Sequence, residues 1–360
     1  MLTGRPGAAQ WSTLLCVSAA MVVAADYLRL PAALMVGPMV AAILVACANG
    51  SIRMSQRPFI IAQGVIGVLV GNGIPLSILD ELAKDWPLFA VGIVSVIIAA
   101  SAIGYVLTRM QFLPGTTAIW GTSPGASTAM IVMSEAYGAD VRLVAVMQYL
   151  RVAIVIGVAA LVAKLWTPAG GAGMAQSIWA MAWLGHFEPA SLGATLALAV
   201  GGALLAQKLR IPAGPMLLPM VAAMALHGAG LITIVLPPWL LAMAYALIGW
   251  SIGLRFTRPI LAHAFRAMPR ILASIAALIA MCGLLAAALV WGAGIDPLTA
   301  YLATSPGGAD SIAIIAASAP VNLSFVLAMQ TSRLAVVLVV SPLLSRYVAE
   351  WARKGRDTAK

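Results

Sequence analysis

Apolar residues run along this chain in long blocks, with polar residues gathered at the block ends. The blocks fall at about 12–28, 31–48, 59–78, 87–108, 114–138 and 143–164, and again at about 190–207, 212–230, 238–254, 270–292, 297–320 and 323–345. Many reach the roughly 18 residues at which a helix crosses a hydrocarbon core of about 30 Å. Lipid offers the backbone no hydrogen-bond partner, so the blocks are expected to be helices. The pattern therefore predicts an all-α polytopic membrane protein whose principal surroundings are the lipid bilayer. Composition agrees. Of 360 residues, 62% are hydrophobic and 9% are charged, against roughly 25% charged in a soluble domain, and the mean hydropathy is +1.01.

The block pattern occurs twice because the sequence does. Leu28-Arg29-Leu30-Pro31 returns as Leu209-Arg210-Ile211-Pro212, and Pro38-Met39-Val40-Ala41-Ala42 as Pro219-Met220-Val221-Ala222-Ala223. Ile66-Gly67 and Gly71 return as Ile248-Gly249 and Gly253. Thr122-Ser123-Pro124-Gly125 returns as Thr304-Ser305-Pro306-Gly307, and Gln148 and Arg151 as Gln330 and Arg333. Anchors at so steady an offset identify a tandem duplication. The first repeat spans 12–165 and the second 189–346. A Gly/Ala-rich linker at 166–188 joins them, and a basic tail at 347–360 follows. The N-terminal apolar stretch after Arg5 could pass for a signal peptide. Its counterpart inside the second repeat argues against cleavage.

The net charge of +10 would suggest nucleic acid in a soluble protein. Here the basic residues sit in short loops and the tail, as topology control by cytoplasmic positive charge requires. No nucleic-acid partner is expected. Whether the Thr-Ser-Pro-Gly segments cross or re-enter the membrane fixes the topology. If they cross, each repeat has six spans and the repeats are parallel. If they re-enter, each has about five spans plus one re-entrant or broken helix, and the repeats are inverted. The charges favour inverted repeats. That arrangement places 16 of the 21 Lys and Arg inside and leaves Arg29, Lys84 and Lys164 outside, with Arg151 and Arg333 within spans. Both termini are then cytoplasmic, and the expected location is a bacterial inner membrane.

Inverted repeats with broken helices are a transporter plan, in which half-helix termini hold a substrate near the midplane. Pro ends a helix, and Gly lets backbone approach a ligand. Thr and Ser hydroxyls can coordinate or cap. Thr122, Ser123, Pro124 and Gly125, with Thr304, Ser305, Pro306 and Gly307, are thus candidate substrate-binding residues. The alternative is a Pro-kinked helix packed by small residues. Gln148 and Arg151, like Gln330 and Arg333, are three apart and share a helix face. An arginine inside a span is a functional candidate, and two could flank one anion through paired hydrogen bonds. Alternatively, each could pair with an acid, cap a carbonyl or snorkel. Asp310, whose counterpart is Thr128, and Glu135 are candidate carriers of a coupling proton. Asp310 could equally cap a helix restarting after Gly307. Asp140 and Asn322 are read as helix caps.

His186, His227 and His263 are dispersed, and Cys16, Cys47 and Cys282 are far apart within apolar runs. Neither set has metal or disulfide spacing. No metal, cofactor or enzymatic activity is expected. No phosphate loop of the Gly-x-x-x-x-Gly-Lys type is present.

The duplicated Leu-Arg-(Leu/Ile)-Pro-Ala start, the Thr-Ser-Pro-Gly-(Ala/Gly) turn, the Gly138-Ala139-Asp140 step and the Gln-x-x-Arg helix resemble the bacterial membrane AbrB family. The resemblance covers about 12–346 and implies a duplicated membrane domain. Family members are labelled as regulators of gene expression or as ammonia monooxygenases. The second label finds no copper-ligand cluster among these residues. The second repeat departs from the first at Asp310 and has Ala319-Pro320-Val321-Asn322 where the first has Gly-Ala-Asp. The expected function is a secondary transporter or exporter of a small organic anion. A membrane-bound regulator without transport and an intramembrane enzyme are the alternatives. Transporters of this plan are often dimers, and a homodimer is one assembly open to this chain.

Overall fold

The computed structural model describes residues 6–28, 30, 32–73, 86–123, 139–166, 188–211 and 214–333, with single positions elsewhere and with backbone alone at 260, 309 and 310. All regular structure among them is helical. In chain order the helices are α1 (Gly7–Tyr27), α2 (Ala33–Cys47), α3 (Gln56–Gly73), α4 (Trp86–Arg109), α5 (Thr117–Thr122), α6 (Val141–Trp166) and α7 (Pro189–Lys208). Then follow α8 (Gly214–Gly228), α9 (Pro238–Gly253), α10 (Arg258–Ala264), α11 (Met268–Ala293), α12 (Pro297–Thr304), α13 (Ala309–Ala317) and α14 (323–333).

Among the described residues, five stretches are long and apolar enough to cross a membrane: Gly7–Tyr27, Trp86–Arg109, Val141–Trp166, Pro189–Lys208 and Leu261–Ala293. α2, α8 and α9 are shorter apolar helices. Between the apolar blocks ending at 254 and beginning at 270, where the sequence pattern leaves a basic loop, the chain forms helix α10 (Arg258–Ala264), joined to α11 by a short turn at Phe265–Ala267. Most of the Gly/Ala-rich linker, residues 167–187, lies outside the described residues.

The chain folds into two compact units, each drawing on both sequence repeats. The first comprises 1–84, 156–257 and 308–327. In it α3 packs on α8, and α9 packs on α2. The physical cause is a pair of repeat-related glycine stripes. Gly67 and Gly71 of α3 lie against the Met216 and Met220 carbonyls of α8, so closely that a β-carbon at either would overlap the oxygen. Gly249 and Gly253 of α9 lie in the same way against Met35 and Met39 of α2. Each stripe is a Gly-x-x-x-Gly motif. In lipid, where apolar surface gains little from burial, this close approach is what joins helices. Around it Leu14, Ala41, Ala42, Val45 and Leu254 form a packed cluster, and the Trp250 indole donates to Ser18 Oγ at 2.9 Å.

The second unit comprises 85–155, 258–307 and 328–360. Here α11 packs on α4 and α12, and α5 packs on α4. Gly104 of α4 admits α5, because a β-carbon there would meet the Ile119 Cα at 3.0 Å. Leu113, Ala118, Leu143, Met147, Ile271 and Ile275 form its main cluster. Val96 and Ala100 meet Leu278 and Cys282 in another.

Gly67→Ala and Gly253→Ala should each lower the melting temperature in detergent, by a cost of about 1–3 kcal/mol typical of overpacking. Gly283→Ala, with nothing within 4 Å of its new methyl, should be neutral or stabilising by up to about 1 kcal/mol.

Candidate functional site

Both Thr-Ser-Pro-Gly segments begin where a short helix stops. α12 starts at an Asp296 cap, whose carboxylate accepts from the Thr299 N–H at 2.9 Å. It stops at Thr304, and Ser305 turns extended at φ −56°, ψ 138°. Pro306 forces this stop, since the residue before a proline is excluded from helical geometry. α5 stops at Thr122 in the same way, with Ser123 at φ −57°, ψ 123°. After Pro306, Gly307 and Gly308, the chain resumes as α13 at Ala309.

A helix that stops leaves its last carbonyls without partners. In a buried interior nothing outside the protein replaces them. Here the Gln-x-x-Arg pairs do so. Gln148 Nε2 donates to the Trp120 carbonyl at 2.8 Å and to that of Ser123 at 3.1 Å. Arg151 Nη1 donates to Thr122 at 3.3 Å and Ser123 at 3.1 Å, and its Nη2 to Gln148 Oε1 at 2.9 Å. The second copy repeats the pattern 182 residues on. Gln330 Nε2 donates to the carbonyls of Leu302 at 2.7 Å and Ser305 at 3.4 Å. Arg333 Nη1 donates to Thr304 at 3.4 Å and Ser305 at 2.7 Å. Its Nη2 donates to Gly307 O at 3.3 Å and to Gln330 Oε1. A cation at a helix C-terminus also meets the negative end of the dipole. The carbonyl-capping alternative thus describes a contact that both arginines make.

The hydroxyls turn inward. Thr122 Oγ1 donates to Ala118 O at 2.8 Å. Thr304 Oγ1 lies 2.9 Å from Ala300 O and 3.2 Å from Cys282 O. Ser305 Oγ donates to Leu302 O at 3.1 Å. Their oxygens keep acceptor capacity, but these donors are engaged with backbone.

Arg151 is 4% exposed and Arg333 6%. Both belong to the second unit. A buried charge is costly unless paired. Among the described residues no carboxylate pairs with either arginine, the one ion pair being His263 with Asp140. Among the described residues, four buried polar atoms in this unit lack a hydrogen-bond partner: Thr108 Oγ1, Trp120 Nε1, Arg151 Nε and the Tyr301 hydroxyl. Pro124, Gly125 and Glu135 lie outside the described residues, as does the side chain of Asp310, whose backbone opens α13. Among the described residues no three His, Cys, Asp or Glu gather as a metal group would.

Sequence reasoning missed one contact. Asp140 Oδ1 caps α6, accepting from the Arg142 and Leu143 N–H groups at 3.0 and 3.2 Å. Its Oδ2 meets His263 Nε2 at 2.9 Å, and its own N–H donates to Thr117 Oγ1 at 3.0 Å. The two partners are 123 residues apart, so no local spacing pointed to the pair. Asn322, its counterpart, caps α14 through the Phe325 N–H at 3.0 Å.

The sequence comparisons bear on this duplicated arrangement. The AbrB family, described as "Transition state regulatory protein AbrB", matches residues 34–349. This chain belongs to the AbrB family. It is 41% identical to "Putative regulator AbrB" of Escherichia coli (strain K12), over 96% of this chain and 98% of that one. It is 28% identical to "Uncharacterized protein YhjN" of Bacillus subtilis (strain 168), over 85% of this chain and 86% of that one. No solved structure matches. The family match covers both Gln-x-x-Arg pairs and both helix breaks.

Partial burial alone would raise the Asp140 pKa. The His263 hydrogen bond and the α6 N–H groups outweigh it and hold the carboxyl below the usual range. A depressed folded pKa stabilises above the unfolded value, near 3.9, and this contribution is lost as pH falls through the folded value. The melting-temperature gap between wild type and Asp140→Ala should therefore be full at neutral pH and shrink below about pH 4.

Proposed function

We propose that this AbrB-family chain is a secondary transporter, moving a small organic anion across a bacterial inner membrane by alternating access. The observation that carries the reading is the pair of buried, repeat-related arginines. Each sits at the carbonyl end of a broken helix within one unit, without a carboxylate among the described residues. Two such charges in an apolar interior are tolerated when something anionic visits them. A site that meets its charge only when loaded distinguishes loaded from empty protein, and alternating access needs that difference. Arg151 and Arg333 balance the substrate charge in this reading. The Thr-Ser-Pro-Gly turns lend backbone, and Asp310 or Glu135 carries a coupling proton.

The topology we propose with it is ten spans and two re-entrant segments in inverted repeats, with both termini cytoplasmic. No cofactor or catalytic step belongs to this reading. A second reading has one specific support, the regulator name of the Escherichia coli relative. A carrier that alters a metabolite pool would also change gene expression, so that name fits a transporter acting indirectly. A regulator acting directly requires a partner at the basic segment around α10 or at the tail.

The test is reconstitution. Proteoliposomes holding the purified chain should show saturable exchange of at least one small carboxylate from a panel that also holds phosphates and amines. The same compound should raise the melting temperature in detergent, by the equivalent of about 2.7 kcal/mol at a hundredfold excess over Kd. Absence of both across the panel, with an expression phenotype that is lost on truncation after Tyr347, would move the assignment to the regulator.

A further inference from the structure

The two arginines are not equivalent. A guanidinium has five N–H donors and no acceptor. Arg333 directs Nη1 at two carbonyls, and Nη2 at the Gly307 carbonyl and Gln330 Oε1. Four of its N–H groups are thereby engaged. Arg151 directs Nη1 at two carbonyls but Nη2 at Gln148 Oε1 alone. Its Nε–H is buried without a partner, on a side chain 96% withdrawn from solvent. Buried donors are almost always satisfied, and an exception inside a membrane calls for an absent acceptor.

We infer that Arg151 alone is the anion-contacting member of the pair, and that it receives one planar two-oxygen group, a carboxylate, on its Nε edge. Arg333 is a helix cap that sets the geometry of the second break and supplies charge at a distance. This rests on the transporter reading and narrows it. The substrate presents a single carboxylate to one guanidinium, instead of a tetrahedral dianion shared by two. Nε and one Nη present two parallel N–H groups that match the two oxygens of a carboxylate. Lysine offers a point charge in place of that fork. It can still donate to carbonyls, so it separates capping from anion recognition.

The experiment uses the full chain in detergent, with acetate, lactate and benzoate as probes against sulfate at equal ionic strength, and melting temperature as the readout. A carboxylate should stabilise wild type, and the loss of apparent affinity should be smaller in Arg333→Lys than in Arg151→Lys. Arg151→Lys should lose about tenfold or more, the size of a lost charge-assisted hydrogen bond. Equal losses in both variants, or stabilisation by sulfate in place of the carboxylates, would overturn the asymmetry and leave the transporter reading standing. No stabilisation of wild type by any of the four would overturn the inference, and the wider panel with the exchange assay would then decide the transporter reading separately. If a lysine variant fails to fold, wild-type protein carrying 15N-labelled arginine decides the matter. Acetate, lactate or benzoate should move one slowly exchanging Nε–H resonance. Movement of two, or of none, would overturn the proposal.

Discussion

A helix broken in a buried interior exposes carbonyls that no solvent satisfies, and much of this structure around the breaks, where Thr122, Ser123, Thr304 and Ser305 are buried, answers that constraint. Proline stops α12 and removes a donor at the same point. The orphaned carbonyls of Leu302, Thr304 and Ser305 are then met by Gln330 and Arg333, three residues apart on one helix face. The first copy meets Trp120, Thr122 and Ser123 with Gln148 and Arg151 in the same manner. A break without such a clamp would leave several polar groups unpaired at about 1–3 kcal/mol each. A clamp without a break would bury an arginine with nothing to donate to. The two features need each other, which gives a physical account of why both recur at one offset.

The clamp also fixes what the site can do. Arginine cannot give up its charge readily, so capping carbonyls with it leaves positive charge in the interior. Carbonyl dipoles offset part of that charge. In the second unit two guanidinium groups bury that charge together. Structural capping and a buried positive charge are therefore two consequences of one choice of residue.

Packing in the first unit follows a different rule. Glycine stripes on α3 and α9 bring backbone against backbone, and each stripe meets a helix of the other repeat. The spatial units consequently mix the two halves of the sequence. This exchange explains how a duplicated gene yields one interlocked body in the first unit. The side chains lost at Gly67, Gly71, Gly249 and Gly253 are what allow it.

The sequence by itself determined the helical, membrane-bound class, because long apolar blocks leave the backbone no other solution. It determined the duplication, the positions of both breaks, and the pairing of Gln with Arg on one face, since these depend on spacing along the chain. It also held the Gly-x-x-x-Gly stripes in plain view, though not their partners. The tertiary structure decided what spacing cannot reach. It placed Asp140 against His263 across 123 residues. It turned the Thr hydroxyls back into their own helices. It gave the two arginines different numbers of engaged donors despite matching motifs. These outcomes depend on which carbonyls and side chains arrive near a given atom, and only the packed chain sets those distances.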